Sequence, residues 1–317
     1  MDAAELQELA KRTRSTRETG VALVLATGLL SLFLFVPLAS PRPTLVPETA
    51  ALAVSTTPNA FAQIAIDAKA AIVYDLATGE TLYTKNADTQ LPLASLTKLL
   101  TVYAALSELS PTTPVTISAD ATRVDSPRAF NEGQVFSLAD IARLTLTASL
   151  NDGAVAIAEA TAARQNVSES AMLASAAAAL GLSQTYAVNG SGLDISAAVS
   201  GGYGSARDLA LLAGALVKQA PAIAEATTAS SARAISEGGT VFHVKNTDPM
   251  VATIPGLLLS KTGYTDLAGG NLAIVFDAGI NHPVAVVVLG SSQKARFTDS
   301  TALIAASFAH FAGVESL

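Results

Sequence analysis

Residues 20–41 carry no charged side chain and are mostly apolar. As a helix this run is long enough to cross a hydrocarbon core of about 30 Å. Lys11, Arg12, Arg14 and Arg17 stand just before it, so the positive-inside tendency leaves residues 1–19 in the cytoplasm and sends everything after Arg42 across the membrane. The competing reading is a cleaved signal peptide, with Ala60-Phe61-Ala62 or Leu38-Ala39-Ser40 as the processing site. Ala62 lies about twenty residues past the run, and the run exceeds a signal core of about 7 to 15 residues. An uncleaved transmembrane anchor is therefore the expectation, with secretion the outcome if it is cleaved; both readings give an extracytoplasmic body. Residues 42–62, rich in Pro, Thr, Ala and Ser and without periodicity, read as a flexible spacer.

Beyond the spacer the pattern alternates between strand and helix periods. Residues 70–74 and 81–84 are β-prone runs around Ala77-Thr78-Gly79-Glu80, a hairpin signal. A helix is expected over 95–106, and helical spacing extends over 135–163, with Ser137 ahead of Leu138 and Asp140 as a start signal. Two more helices are expected, one over 171–180 ended by Gly181 and one over 206–216, where Ser205 and Asp208 resemble a capping box. Residues 240–244, 257–260, 272–276 and 284–289 then read as strands, and 298–311 as a closing helix. Strands, helices, strands and a final helix predict an α+β fold: an antiparallel sheet flanked by helices, with a helical lobe of about residues 99–238 inserted in a catalytic body of residues 63–317.

Half of the 317 residues are hydrophobic, enough for a large core. A net charge of -7, with Lys and Arg scattered after the N-terminal cluster, argues against a nucleic-acid partner. With no cysteine, disulfides, thiolate metal sites and a cysteine nucleophile are excluded. His243, His282 and His310 lack metal-site spacing. A zinc peptidase is disfavoured, and so is a Ser-His-Asp machine, although such a triad can assemble from distant residues.

Ser95-Leu96-Thr97-Lys98 occurs where a loop with Pro92 gives way to an apolar helix. The i, i+3 spacing stacks Ser95 and Lys98 on one face. A serine hydroxyl needs a neighbouring base, and a partly buried lysine near other cations can be that base. A helix N-terminus adds an N–H for a developing oxyanion. Alone, the pattern also fits a capping serine and a surface lysine. Ser149-Leu150-Asn151 follows the helix from Ser137, and Lys261-Thr262-Gly263 follows the apolar run 257–260. The three together, in this order, form the S-x-x-K, S-D-N and K-T-G set of penicillin-binding proteins and class A β-lactamases.

The chain resembles the serine-type D-Ala-D-Ala carboxypeptidases, the low-molecular-mass penicillin-binding proteins of the β-lactamase/transpeptidase-like superfamily. The likeness extends to Phe130-Asn131-Glu132-Gly133-Gln134, Leu138-Ala139-Asp140, Ser149-Leu150-Asn151-Asp152, Tyr203-Gly204-Ser205-Ala206-Arg207-Asp208-Leu209, Asn246-Thr247, and Lys261-Thr262-Gly263-Tyr264-Thr265 through Ala268-Gly269-Gly270-Asn271-Leu272. Family-like segments recur from about residue 70 to 311.

The resemblance implies that Ser95 is acylated, that Lys98 is its base and that Ser149 passes a proton to the leaving group. It further implies that Asn151 binds the substrate backbone, Lys261 supplies positive potential, Thr262 of the Lys261-Thr262-Gly263 motif binds the terminal carboxylate, and Tyr264 offers a backbone N–H to the oxyanion. Arg296 is a carboxylate partner by position, or else a solvated surface charge. The implied partners are peptidoglycan stem peptides, with β-lactam antibiotics as covalent inhibitors and no metal or organic cofactor. Two departures stand out. Leu150 occupies the middle of the second motif, with its side chain expected to face away from the chemistry. Asn189-Gly190-Ser191-Gly192-Leu193 differs at both central residues from the family's Asn-Pro-His-Gly-Leu, so this loop is expected to bind or pack differently.

Three activities compete with the carboxypeptidase. A D,D-endopeptidase would use the same atoms. A class A β-lactamase needs a deacylating glutamate, and none of Glu159, Glu169, Glu225 and Glu237 begins a Glu-x-x-x-Asn pattern. A silent wall-binding or drug-sensing module would be free to lose Ser95, Lys98, Ser149 and Lys261.

Overall fold

The computed structural model describes residues 59–313. The expected anchor, residues 20–41, and the spacer up to residue 58 lie outside the described residues. Among the described residues no single helix is long and apolar enough to cross a membrane.

The expected hairpin forms between β1 (Ala70–Asp75) and β2 (Thr81–Lys85). A short β3 (Leu91–Pro92) and one 3-10 turn, Ala94–Leu96, lead into α1 (Thr97–Glu108). The stretch 135–163, expected as helical throughout, divides into three elements. After β4 (Pro114–Thr116), β5 (Val135–Ser137) pairs back on it, and α2 (Leu138–Ala148) and α3 (Asn151–Gln165) follow. Ser137 caps α2 by accepting the Asp140 N–H, as its sequence position predicts. The break comes at Ser149, which adopts left-handed φ 60, ψ 34, and at extended Leu150; neither backbone state continues a helix.

Next come α4 (Glu169–Ala179), β6 (Tyr186–Ala187), β7 (Gly202–Gly204), α5 (Ala206–Gln219) and the short α6 (Pro221–Glu225). Ser205 caps α5 by accepting the Asp208 N–H. The hairpin β8 (Ser231–Ile235) and β9 (Val241–Lys245) places a strand inside the region expected to be helical. The residues β8 buries are alanines, Ala232 and Ala234, which carry little strand signal.

The last third supplies the long strands β10 (Leu257–Thr265), β11 (Gly269–Asp277) and β12 (Pro283–Ser291), then α7 (Ala295–Ala312). They complete an antiparallel five-stranded sheet in the order β10-β11-β12-β1-β2. Successive strand residues face opposite sides, and β12 is apolar on both. Val284, Val286 and Val288 join one buried cluster with Leu303, Ile304 and Ala306 of α7. Ala285, Val287 and Leu289 join the other, with Leu99 of α1 and Leu209 of α5. Each large aliphatic side chain so buried contributes about 1.5–3 kcal/mol.

The α7 cluster also takes Ala60 and Phe61, both buried. The Phe61 ring centroid lies 5.9 Å from that of Tyr83 and 6.0 Å from that of His310. Residues 59–62, expected to close the spacer, therefore belong to the body.

Candidate active site

The turn carrying Ser95 is held from behind. Asn271 on β11 donates its side-chain amide to the carbonyls of Pro92 and Leu93, both at 3.0 Å. Ala94 then adopts φ +48, a left-handed state that costs a non-glycine residue about 1–2 kcal/mol. Two glycines admit the turn. A Cβ at Gly192 would stand 2.0 Å from the Ala94 oxygen, and one at Gly263 would stand 2.9 Å from the Leu93 oxygen and 3.3 Å from the Ser95 nitrogen. Only backbone fits there, so β10 runs directly alongside the serine turn.

Ser95 is partly exposed, whereas Lys98, one helical turn on, is fully buried. The Lys98 Nζ lies 2.8 Å from Ser95 Oγ, 2.7 Å from Asn151 Oδ1 and 2.7 Å from the Ser191 carbonyl. Asn151 in turn donates its Nδ2 to the Asp125 carbonyl at 2.9 Å, which fixes the face its oxygen turns to Lys98. Two of the three neighbours of Nζ can only accept. A neutral amine satisfies both with its two N–H groups and leaves its lone pair directed at the Ser95 hydroxyl. Burial, followed by the charge of Lys261, lowers the Lys98 pKa well below the ordinary lysine range, with Asp152 acting in the opposite sense.

The second serine and lysine meet across the chain. Lys261 Nζ donates to Ser149 Oγ at 2.9 Å and to the Thr262 carbonyl at 2.6 Å. Burial, then the neighbouring Arg296, brings the Lys261 pKa down to about 7. Thr262 Oγ1 lies 2.6 Å from the hydroxyl of exposed Thr247. The Tyr264 side chain is 44% exposed beside them.

Arg296 is not a solvated charge. It is 7% exposed, and its Nη1 donates to the Gly263 carbonyl at 2.6 Å. Burial lowers its pKa, while Asp248 and Tyr264 act to raise it. Its Nε finds no protein partner.

The residues proposed from sequence thus gather in two linked pairs, Ser95 with Lys98 and Ser149 with Lys261; Asn151 is bonded to the first and Thr262, Gly263 and Arg296 adjoin the second. Leu150 is buried in the core, turned from the chemistry as expected. The altered loop does pack on the site: Ser191 gives its carbonyl to Lys98, and Gly190 is held by Thr101 and Glu169. Glu169 is therefore occupied as an acceptor for the Gly190 N–H at 3.1 Å. Sequence reasoning missed the Ser191 carbonyl, Asp152 and Asn271. Only the last two left a signal, as polar residues quoted inside family-like stretches.

The arrangement pairs a partly exposed hydroxyl with a buried amine of lowered basicity, and a second hydroxyl with a second buried lysine. That is machinery for acyl transfer through a serine ester. The comparisons agree. Residues 55–293 match the family model described as D-alanyl-D-alanine carboxypeptidase. The chain is 33% identical over 287 residues to D-alanyl-D-alanine carboxypeptidase DacD of Salmonella typhimurium, covering 86% of this chain and 70% of that one. It is 31% identical over 264 residues to a D-alanyl-D-alanine endopeptidase of Pseudomonas aeruginosa, covering 80% of this chain and 82% of that one. The crystal structure of penicillin-binding protein D2 from Listeria monocytogenes, in its ampicillin-bound form, superposes with a TM-score of 0.66 at 28% identity, over 77% of this chain and 98% of that one. The chain belongs to the D-alanyl-D-alanine carboxypeptidase family of serine peptidases.

Proposed function

We propose that Ser95 is acylated by the D-alanyl-D-alanine end of peptidoglycan stem peptides, releases the terminal D-alanine, and returns the trimmed peptide on hydrolysis. Lys98, neutral, takes the Ser95 proton as Oγ attacks the penultimate carbonyl. The oxyanion is received by the backbone N–H groups of Ser95 and Tyr264. Ser149 relays to the leaving amine the proton that Lys98 took from Ser95, so both end the acylation as they began it; because Lys261 Nζ occupies a lone pair of Ser149 Oγ, the Ser149 hydroxyl hydrogen is free for that transfer. Thr262 and the charge of Lys261 hold the terminal carboxylate, with Arg296 adding positive potential through the Gly263 carbonyl. Asn151 aligns the substrate backbone. The observation that carries this reading is the three-way seat of Lys98 Nζ against Ser95, Asn151 and Ser191.

Penicillins present a carbonyl and a carboxylate in the same relation and are expected to acylate Ser95 as covalent inhibitors. The ampicillin-bound Listeria relative supports this. The endopeptidase is the second reading, favoured by the similarity to the Pseudomonas protein of that name. We place the body outside the cytoplasm, tethered by residues 20–41.

The test is release of D-alanine from diacetyl-L-Lys-D-Ala-D-Ala together with labelling by a fluorescent penicillin. Both are expected from the native chain, and Ser95→Ala is expected to lose both while its circular dichroism is unchanged. Labelling that persists in the alanine variant places the nucleophile elsewhere.

A further inference from the structure

Three successive peptide units of residues 189–192 are each pinned by a different side chain. Glu169, in the first turn of α4, accepts the Gly190 N–H on Oε2 at 3.1 Å. Thr101 of α1 donates its hydroxyl to the Gly190 carbonyl at 2.7 Å. Asn189 Oδ1 accepts the Gly192 N–H at 2.8 Å. That last unit also carries the Ser191 carbonyl, which receives Lys98 Nζ at 2.7 Å. A neutral Lys98 keeps its lone pair on Ser95 while Asn151 and Ser191 hold its two N–H groups, so the pinned loop aims the base.

Gly190 is buried against α3, where a Cβ would stand 2.5 Å from that of Ala158. The proline of the family's Asn-Pro-His-Gly-Leu would bring that Cβ and no N–H. Glycine removes the clash, adds backbone freedom and leaves a buried donor that needs an acceptor. Glu169 is that acceptor, in surroundings that do not favour a carboxylate. Burial raises its pKa, the Gly190 N–H lowers it and the charge of Glu159 on α3 raises it further. Among the described residues the Glu169 carboxylate makes no ion pair, and the hydrogen bond it takes is the one from Gly190.

We propose that Glu169 is a positioning residue for acylation: through the Gly190 N–H it fixes the Ser191 carbonyl against Lys98 and so directs the Lys98 lone pair at Ser95. This role rests on the carboxypeptidase reading, in which Lys98 deprotonates Ser95. The charges that act on Lys98 come from Lys261 and Asp152. Glu169 therefore works through hydrogen-bond geometry, and an uncharged side chain that still offers an acceptor oxygen can replace it.

The test compares the second-order rate constant of penicillin acylation in the full-length protein and in three variants, each checked for its fold by circular dichroism at the assay temperature. Glu169→Ala is expected to acylate about tenfold more slowly, the size of one buried hydrogen bond lost. Glu169→Leu fills the same space without an acceptor and should match the alanine variant, so the comparison stands if either of the two folds. Glu169→Gln loses the charge but keeps an acceptor oxygen, and should recover most of the native rate. Native acylation by a folded alanine or leucine variant overturns the proposal. A loss that glutamine does not recover also overturns it, because the carboxylate charge, and not the bond to Gly190, would then be what matters. A native protein that penicillin does not acylate at all refutes the reading of Ser95 and Lys98 itself, and this role with it.

Discussion

Lys98 and Lys261 are both fully buried and both less basic than free lysine, yet the proposed chemistry needs them in opposite states. Lys98 works as a base only when neutral, so acylation should rise with pH through its lowered pKa. Lys261 attracts a carboxylate only when charged, so kcat/KM, which reports the free enzyme, should fall as pH rises through about 7. A bound carboxylate favours the charged lysine, so the alkaline limb of kcat should lie at higher pH than that of kcat/KM. In Lys261→Arg, whose guanidinium keeps its charge throughout, the alkaline limb should vanish whatever the absolute rate. A limb that persists there belongs to another group.

At the scale of elements, the junction of α2 and α3 shapes the site. Leu150 supplies no side-chain cap to α3, and Asp152 in the first turn reaches out to the Ala129 and Phe130 amides as well as to that of Gly153. A carboxylate near a helix N-terminus is favoured by the helix dipole, although burial raises the Asp152 pKa against the amide hydrogen bonds. Asp152→Ala would leave the two loop amides without their acceptor, at about 1–3 kcal/mol for each that stays unsatisfied. The same loop presents Asp125 to Asn151. The alanine variant should therefore melt at lower temperature and acylate with penicillin more slowly even where it is folded, and Asp152→Asn, which keeps one acceptor oxygen, should recover part of both. An alanine variant that melts with the native protein would show that the loop is held by other contacts.

Across the whole molecule, the helical lobe packs on one face of the five-stranded sheet and α7 on the other. The reacting groups lie along the edge strand β10, where it meets the Ser95 turn. Ala60 and Phe61 close the α7 face, so a chain beginning at Asn59 should keep its fold and its penicillin acylation, whereas one beginning at Gln63 should lose about 2–3 kcal/mol with the buried phenylalanine. The full-length chain should sediment with membranes and the chain from Asn59 should not. A full-length protein recovered wholly in the soluble fraction, with its mature N-terminus at Ser40 or Gln63, would replace the anchor with a cleaved signal.

The sequence by itself determined what depends on local period and short spacing. The i, i+3 step set Ser95 beside Lys98, the serine caps marked the starts of α2 and α5, and the apolar runs located β10 to β12. It could not show that 135–163 breaks at Ser149, because a left-handed residue leaves no trace in hydrophobic pattern, nor that the alanine-rich residues 231–235 form a strand. What only the tertiary structure decided is which distant elements meet. Lys98 reaches Ser191 across 93 residues and Lys261 reaches Ser149 across 112. The partners that complete the site include the carbonyls of Ser191, Asp125 and Gly263. Every residue carries a backbone carbonyl, so its position in space, and with it the lowered basicity of two buried lysines, is set by how the elements dock.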